Sequence, residues 1–268
     1  MDKEIGKWKS NVYRDFKWEY VISGESGHWL LALPGGTRHP GLGIGFLEDL
    51  VQSFRIISPA YPRIGRMQQL AEGIAQILQQ EAIQKVHVLG SSFGGIMAQE
   101  FFLMYPNLVE KIVISNTNTT NKDQTQSKKI RNARKILKLV PAQMIRSNMK
   151  KQFGKLMDVL GDQKPHYEAQ LLDLIKARKL DKPDILCHFD CLIDFQRHNL
   201  DEESTSAFQS KMLIISAGND TGVGKNAREN LHRVYPRAKF FHFEDGGHFP
   251  MIIHKTQYME LIKAFLLE

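Results

Sequence analysis

The residues Gly90-Ser91-Ser92-Phe93-Gly94 spell G-x-S-x-G between a short apolar, β-branched run, KVHVLG, and an apolar helical stretch, GIMAQEFF. In that setting the pattern has a mechanical meaning: a strand turns into a helix so tightly that its central residue takes strained backbone angles. Gly90 and Gly94 supply the room. Ser92 is lifted clear as a candidate nucleophile, and the Phe93 N–H at the helix N-terminus is a candidate oxyanion donor. A serine hydroxyl is a poor nucleophile at neutral pH and needs a base within hydrogen-bond reach. His248, in EDGGHFP just past the run AKFFHF, is the candidate base. Asp220, in AGNDTG just past KMLIIS, is the candidate acid that orients it. Each alone has a plainer reading: a serine-capped helix, a loop histidine after two glycines, a turn aspartate. Together, in the order Ser, Asp, His and each at a strand's C-terminal end, they point to one catalytic triad. Among competing acids, Glu244 and Asp245 stand too near His248 in the chain to approach its ring from behind. Asp190 and Asp194 fall in a helical region away from the strands.

These side chains need a scaffold that gathers strand ends at one edge. WLLALPG from Trp29 and FRIISPAYP from Phe54 read as buried strands ended by Gly or Pro, and KVHVLG, KIVISNT from Lys111, KMLIISAG from Lys211 and AKFFHFED read as further strands. Helical periodicity separates them, with Met67, Leu70, Ile74, Ile77 and Leu78 before the elbow and Tyr258, Leu261, Ile262 and Phe265 at the end. Strand–helix alternation implies an α/β fold with a mostly parallel, doubly wound sheet. The rhythm stops after Thr117. Amphipathic helices follow, marked by Ile130, Ala133, Leu137 and Val140, then by Ile145, Met149, Phe153, Leu156 and Leu160, then by Leu171, Leu172 and Ile175. The expected organisation is a core of residues 1–117 and 208–268, with residues 118–207 inserted as a helical cap.

Composition excludes several classes. With 42% hydrophobic and 24% charged residues the chain reads as an ordinary globular protein. No apolar run approaches the roughly 20 residues of a membrane span. The N-terminal stretch MDKEIGKWKSNVYRDFKW lacks the apolar segment of a secretory signal, so a cytoplasmic location is expected. Cys187 and Cys191 cannot build a disulfide framework. The stretch CHFDC that holds them has no second ligand cluster, and neither a metal nor another cofactor is expected. The net charge of +7 is concentrated: residues 121–180 hold 15 Lys or Arg against 5 Asp or Glu. A solvated face is the favoured reading. The alternatives are attraction of an acidic substrate, an acyl carrier or an anionic membrane surface by cations such as Lys128, Lys129 and Arg131. No nucleic-acid motif accompanies the charge, and no nucleic-acid partner is expected. Arg38 and His39 are read as substrate contacts or, more simply, as solvent-facing residues. Oligomeric state is not legible.

On its elbow, its triad order and the loop Pro34-Gly35-Gly36-Thr37, the chain resembles the α/β-hydrolase superfamily across nearly its full length. Members often carry His-Gly and then a residue whose N–H donates to the oxyanion. Here Pro34-Gly35 stands in that place, so the resemblance makes Gly36 the second donor, with Thr37 as the fallback. Ser92 at the elbow separates the chain from dehalogenase-like and epoxide-hydrolase-like members, which place Asp there. The activity implied is hydrolysis of a carboxylic ester or related acyl compound, a small molecule, through an acyl-enzyme. A second, weaker likeness, in AYPRI, GSSFGG and DGGHFP, is to maspardin-like proteins. These include members thought to bind partners without turnover, which makes a non-catalytic binding protein the alternative.

Overall fold

Eight strands, β1 (Lys7–Tyr13), β2 (Phe16–Ser23), β3 (His28–Leu33), β4 (Phe54–Ala60), β5 (Val86–Ser91), β6 (Val109–Ser115), β7 (Met212–Ala217) and β8 (Lys239–Phe243), form one sheet. Their order in the computed structural model is β1-β2-β4-β3-β5-β6-β7-β8. The structure describes residues 6–42, 45–121, 124–178 and 182–268. The start of the N-terminal stretch and five residues of the expected cap (122, 123 and 179–181) therefore lie outside the described residues. From β4 to β8 the strands pair in parallel, whereas β1–β2 and β2–β4 pair antiparallel.

The hairpin of β1 and β2 carries no expectation from the sequence, and the reason is physical. No residue of β1 is buried, so the edge strand shows no apolar face. Its tight turn is made by Arg14 and Asp15, both at positive φ (48° and 66°), rather than by the Asn-Gly or Asp-Gly pair that signals such a turn.

Alternate strand residues feed two layers. Leu31, Leu33, Val88, Ile112, Ile114 and Ile214 pack with helices α1 (Met67–Gln80), α2 (Phe93–Met104) and, further along the chain, the helix Lys225–Val234. Leu30, Ala32, Leu89, Val113, Leu213 and Ile215 pack with the C-terminal helix, Lys255–Leu267. Helices thus cover both faces, as a parallel sheet requires. The fold is α/β and mostly parallel.

Between β6 and β7 lie α3 (Gln124–Leu139), α4 (Ala142–Leu156), a 3-10 stretch (Met157–Gln163), α5 (Lys164–Arg178), α6 (Lys182–Phe195) and the short α7 (Glu202–Thr205). After β7 come α8 (Lys225–Val234), the short α9 (Pro250–Ile253) and α10 (Lys255–Leu267). The apolar series from Ile145 to Leu160 suggests one continuous helix. It breaks after Leu156, and Gly161 takes φ 52°, ψ −123° within the tighter turns that follow. Two contacts tie this segment to the core. Asp194 of α6 accepts from Met67 N at 2.8 Å, capping α1 from outside. Met157, Leu160, Leu171 and Ile175 pack against Phe249 and Ile252, just past His248.

β3 is flanked by β4 on one side and β5 on the other. The loops leaving β3 and β5 therefore diverge, opening a crevice at the C-terminal edge. Among the described residues, no helix is long and apolar enough to cross a membrane.

Candidate active site

Ser92 sits at the turn from β5 to α2 with φ 56° and ψ −123°, a backbone region closed to most side-chain-bearing residues. The strain is held by close packing. A Cβ on Gly90 would lie 2.2 Å from Gly94 O, and one on Gly94 would lie 2.2 Å from Leu33 O. Thr117 Oγ1 donates to Ser92 O at 2.6 Å, tying the turn to the end of β6. Gly94→Ala is expected to destabilise the protein by about 1–3 kcal/mol, because the clash is with backbone that cannot yield. The midpoint of denaturant unfolding measures this, and an unchanged midpoint would contradict the packing described.

His248 and Asp220 come together although 27 residues separate them. His248 Nδ1 lies 3.0 Å from each Asp220 carboxylate oxygen. Asp220 Oδ1 also accepts from Gly222 N (2.7 Å) and Val223 N (3.0 Å), and Oδ2 accepts from Asn116 Nδ2 at 2.8 Å. Burial pushes the Asp220 carboxyl up. Hydrogen bonding from His248, its charge, Asn116 and the Gly222 N–H outweigh burial, so the group is held below its ordinary value and is ionised at neutral pH. Three of the four competing acids are engaged elsewhere: Asp245 with His254, Asp190 with Arg134, and Asp194 with Arg66 and Arg197.

Ser92 and His248 line one cavity of about 160 Å³, together with Gly35, Gly36, Phe153, Met157, Leu160 and Tyr167. The Ser92 hydroxyl forms no hydrogen bond with His248. Such bonds are often long in free enzymes and tighten around substrate. Gly36 follows β3 on the cavity wall, and Phe93 opens α2, where a first-turn N–H has no intrahelical acceptor.

Three residues near the cavity behave differently from the sequence reading or escape it. Arg38 is neither a solvent-facing residue nor a free substrate contact. It is buried at φ 59°, with Nη2 donating to Pro62 O (2.7 Å) and Ile64 O (3.0 Å), so it braces the loop after β3. His188 of α6 packs against Phe93 with ring centroids 4.5 Å apart and the rings tilted by 46°. Burial, reinforced by the Arg38 charge, pulls its pKa down to about 3, so it is neutral and a feeble base. Asn116, immediately after β6 at φ 44°, bonds both Asp220 and Gly247 O (2.8 Å) and so links the acid to the His248 loop. An Asn after a strand is a weak sequence signal, because turns use it everywhere.

His28, His87 and Glu110 could offer donor atoms to a metal, all within 4.8 Å of one another. They lie at the N-terminal ends of β3, β5 and β6, the edge opposite the cavity. There Glu110 stands 3.8 Å from His28 and 3.6 Å from His87.

Residues 52–255 match the family model described as alpha/beta hydrolase fold, and the chain belongs to that family. Its solved structural relatives include a hydrolase from Pseudomonas aeruginosa, with TM-score 0.76 and 17% identity over 97% of this chain and 98% of that one. An esterase from Exiguobacterium antarcticum superimposes with TM-score 0.73 and 18% identity over 94% and 96% of the two chains. In sequence the chain is similar to zebrafish (Danio rerio) maspardin, with 23% identity over 210 residues covering 76% of this chain. It spans 62% of the length of that maspardin.

Proposed function

We propose that the chain is a serine hydrolase that cleaves a carboxylic ester or related acyl compound. The observation that carries this reading is the His248–Asp220 pair beside a strained Ser92, on the wall of one open, largely apolar cavity. In the proposed cycle His248 takes the Ser92 proton as the hydroxyl attacks the carbonyl carbon. Asp220 fixes the imidazole tautomer and offsets its positive charge. The Phe93 and Gly36 N–H groups hold the tetrahedral oxyanion. His248 then protonates the leaving group, and water, activated the same way, releases the acid. The helical segment 118–207 acts as a cap, with Phe153, Met157, Leu160 and Tyr167 as the cavity roof. The unpaired thiols of Cys187 and Cys191 suit a reducing compartment, in keeping with a cytoplasmic enzyme.

A fluorophosphonate probe tests the nucleophile. Wild type should be labelled and Ser92→Ala should not; equal labelling of both would refute it. The second reading is a binding protein that keeps the fold without turnover. The similarity to maspardin and the unformed Ser92–His248 hydrogen bond favour it, and an unlabelled wild type would support it.

The size of the cavity favours a small acyl group in this reading. A void of roughly 150 Å³ holds one benzene-sized group, so an acyl chain of about six carbons or fewer should fit. Across p-nitrophenyl esters, kcat/KM should peak at short chains and fall for long ones; a maximum at twelve carbons or more would show that the roof opens. Asn116→Ala should lower kcat about 10–100-fold with little change in KM, because it removes a hydrogen bond to a buried charged acceptor and loosens the acid. A change confined to KM would place Asn116 in substrate binding instead.

A further inference from the structure

Residues 124–157, which make up α3 and α4 and their joining turn, hold ten Lys or Arg and no Asp or Glu. Among the described residues, Arg134 alone is neutralised, by Asp190 of α6. The other nine cations (Lys128, Lys129, Arg131, Lys135, Lys138, Arg146, Lys150, Lys151 and Lys155) are exposed, and none of them makes an ion pair among the described residues. Lys128, Arg131, Lys135 and Lys138 recur every three or four residues and so share one face of α3.

The same two helices expose apolar side chains where they meet. Leu139 is 85% exposed, Ile136 62% and Met144 61%, which is three of the six large apolar residues left in water among the described residues. Single exposed apolar residues are ordinary. A group of three at one helix corner, ringed by unpaired cations, marks an interaction surface.

We propose that the exposed face of α3 and α4 docks on an anionic lipid bilayer. Ile136, Leu139 and Met144 enter the headgroup layer, and the nine cations face its phosphates and carboxylates. A purely anionic polymer, such as a nucleic acid or polyglutamate, would satisfy the cations but offer little to the apolar corner. An anionic bilayer satisfies both. Met144 and Phe153 lie nine residues apart on α4, about 14 Å along its axis. Phe153 lines the cavity, so docking sets the candidate active site beside the lipid surface. The surface stands whether or not Ser92 is a nucleophile.

Vesicle sedimentation of the full chain tests this. Wild type should bind vesicles of mixed phosphatidylcholine and phosphatidylserine, with affinity falling as salt rises, and should not bind phosphatidylcholine alone. Each cation near an anionic surface is worth roughly fivefold in affinity, so Lys135→Glu, Lys138→Glu and Lys150→Glu combined should cost at least about a hundredfold. Ile136→Ser with Leu139→Ser, at unchanged charge, should cost about tenfold. The emission of Leu139→Trp should shift to the blue on the anionic vesicles. All these positions are exposed, so the fold and turnover of a soluble ester should be unaltered, and Ser92→Ala should bind vesicles like wild type. Failure of docking is thereby separable from failure of the hydrolase reading. No binding to the mixed vesicles would overturn the proposal, as would undiminished binding by the charge-reversed or the serine variant. So would polyglutamate binding as tight as vesicle binding.

Discussion

Replacing Ser92 with Ala should lower kcat for an accepted ester by about a million-fold and leave the fold unchanged. The size follows from what the hydroxyl does in the proposed cycle: without it there is no acyl-enzyme, and direct attack by water must serve. Ser92→Ala with His248→Ala should be no worse than either alone, because residues that act as a unit lose their function at the first removal. A residual rate of roughly a thousandfold over water should persist in all three variants, supplied by the Phe93 and Gly36 N–H groups and by binding. Steady-state kinetics with an active-site-titrated preparation measures this. Strictly additive losses, or a Ser92→Ala variant with more than a small fraction of wild-type kcat, would mean that chemistry resides elsewhere in the cavity.

Asp220→Asn should lower kcat by about 10,000-fold while the backbone stays in place. In the wild type both carboxylate oxygens accept: from His248 Nδ1, from the Gly222 and Val223 N–H groups, and from Asn116 Nδ2. An amide turns one of these acceptors into a donor, which either faces another donor or forces the imidazole into the wrong tautomer. That mismatch should also cost about 1–3 kcal/mol of stability at neutral pH. Its pH dependence has a definite sign. The Asp220 carboxyl is held below its ordinary value in the folded protein. Its contribution is therefore fully present above the unfolded value of roughly 3.9 and is lost as pH falls through the lower folded value. The stability gap between wild type and Asp220→Asn should be constant around neutrality and narrow only in strong acid. A gap that narrowed between pH 8 and 6 would assign the dependence to another group.

The elbow and the parallel strands were legible because their signals are local. Gly90 is required by the backbone of Gly94, within the motif itself, and a buried strand such as WLLAL is apolar throughout. The hairpin of β1 and β2 was illegible for the opposite reason: β1 buries no residue, and its turn lacks the usual pair. Asn116 and Arg38 show a second kind of blindness. Each is buried and polar, and its partners, Asp220 and Gly247 for the one and Pro62, Ile64 and Cys191 for the other, are distant in sequence.

Taken alone, the sequence determined where the parallel strands run, where the chain turns from strand to helix around a serine, and which acid and imidazole follow in order. Those features depend on side-chain volume, backbone sterics and periodicity, all of which act along the chain. Only the tertiary structure decided that Asn116 bonds both the Asp220 carboxylate and the carbonyl of Gly247. It alone decided that Arg38 turns inward and that nine cations of α3 and α4 find no ion-pair partner among the described residues. Pairing of charges is a matter of distance in space, and a chain of 268 residues offers far more combinations than spacing can sort.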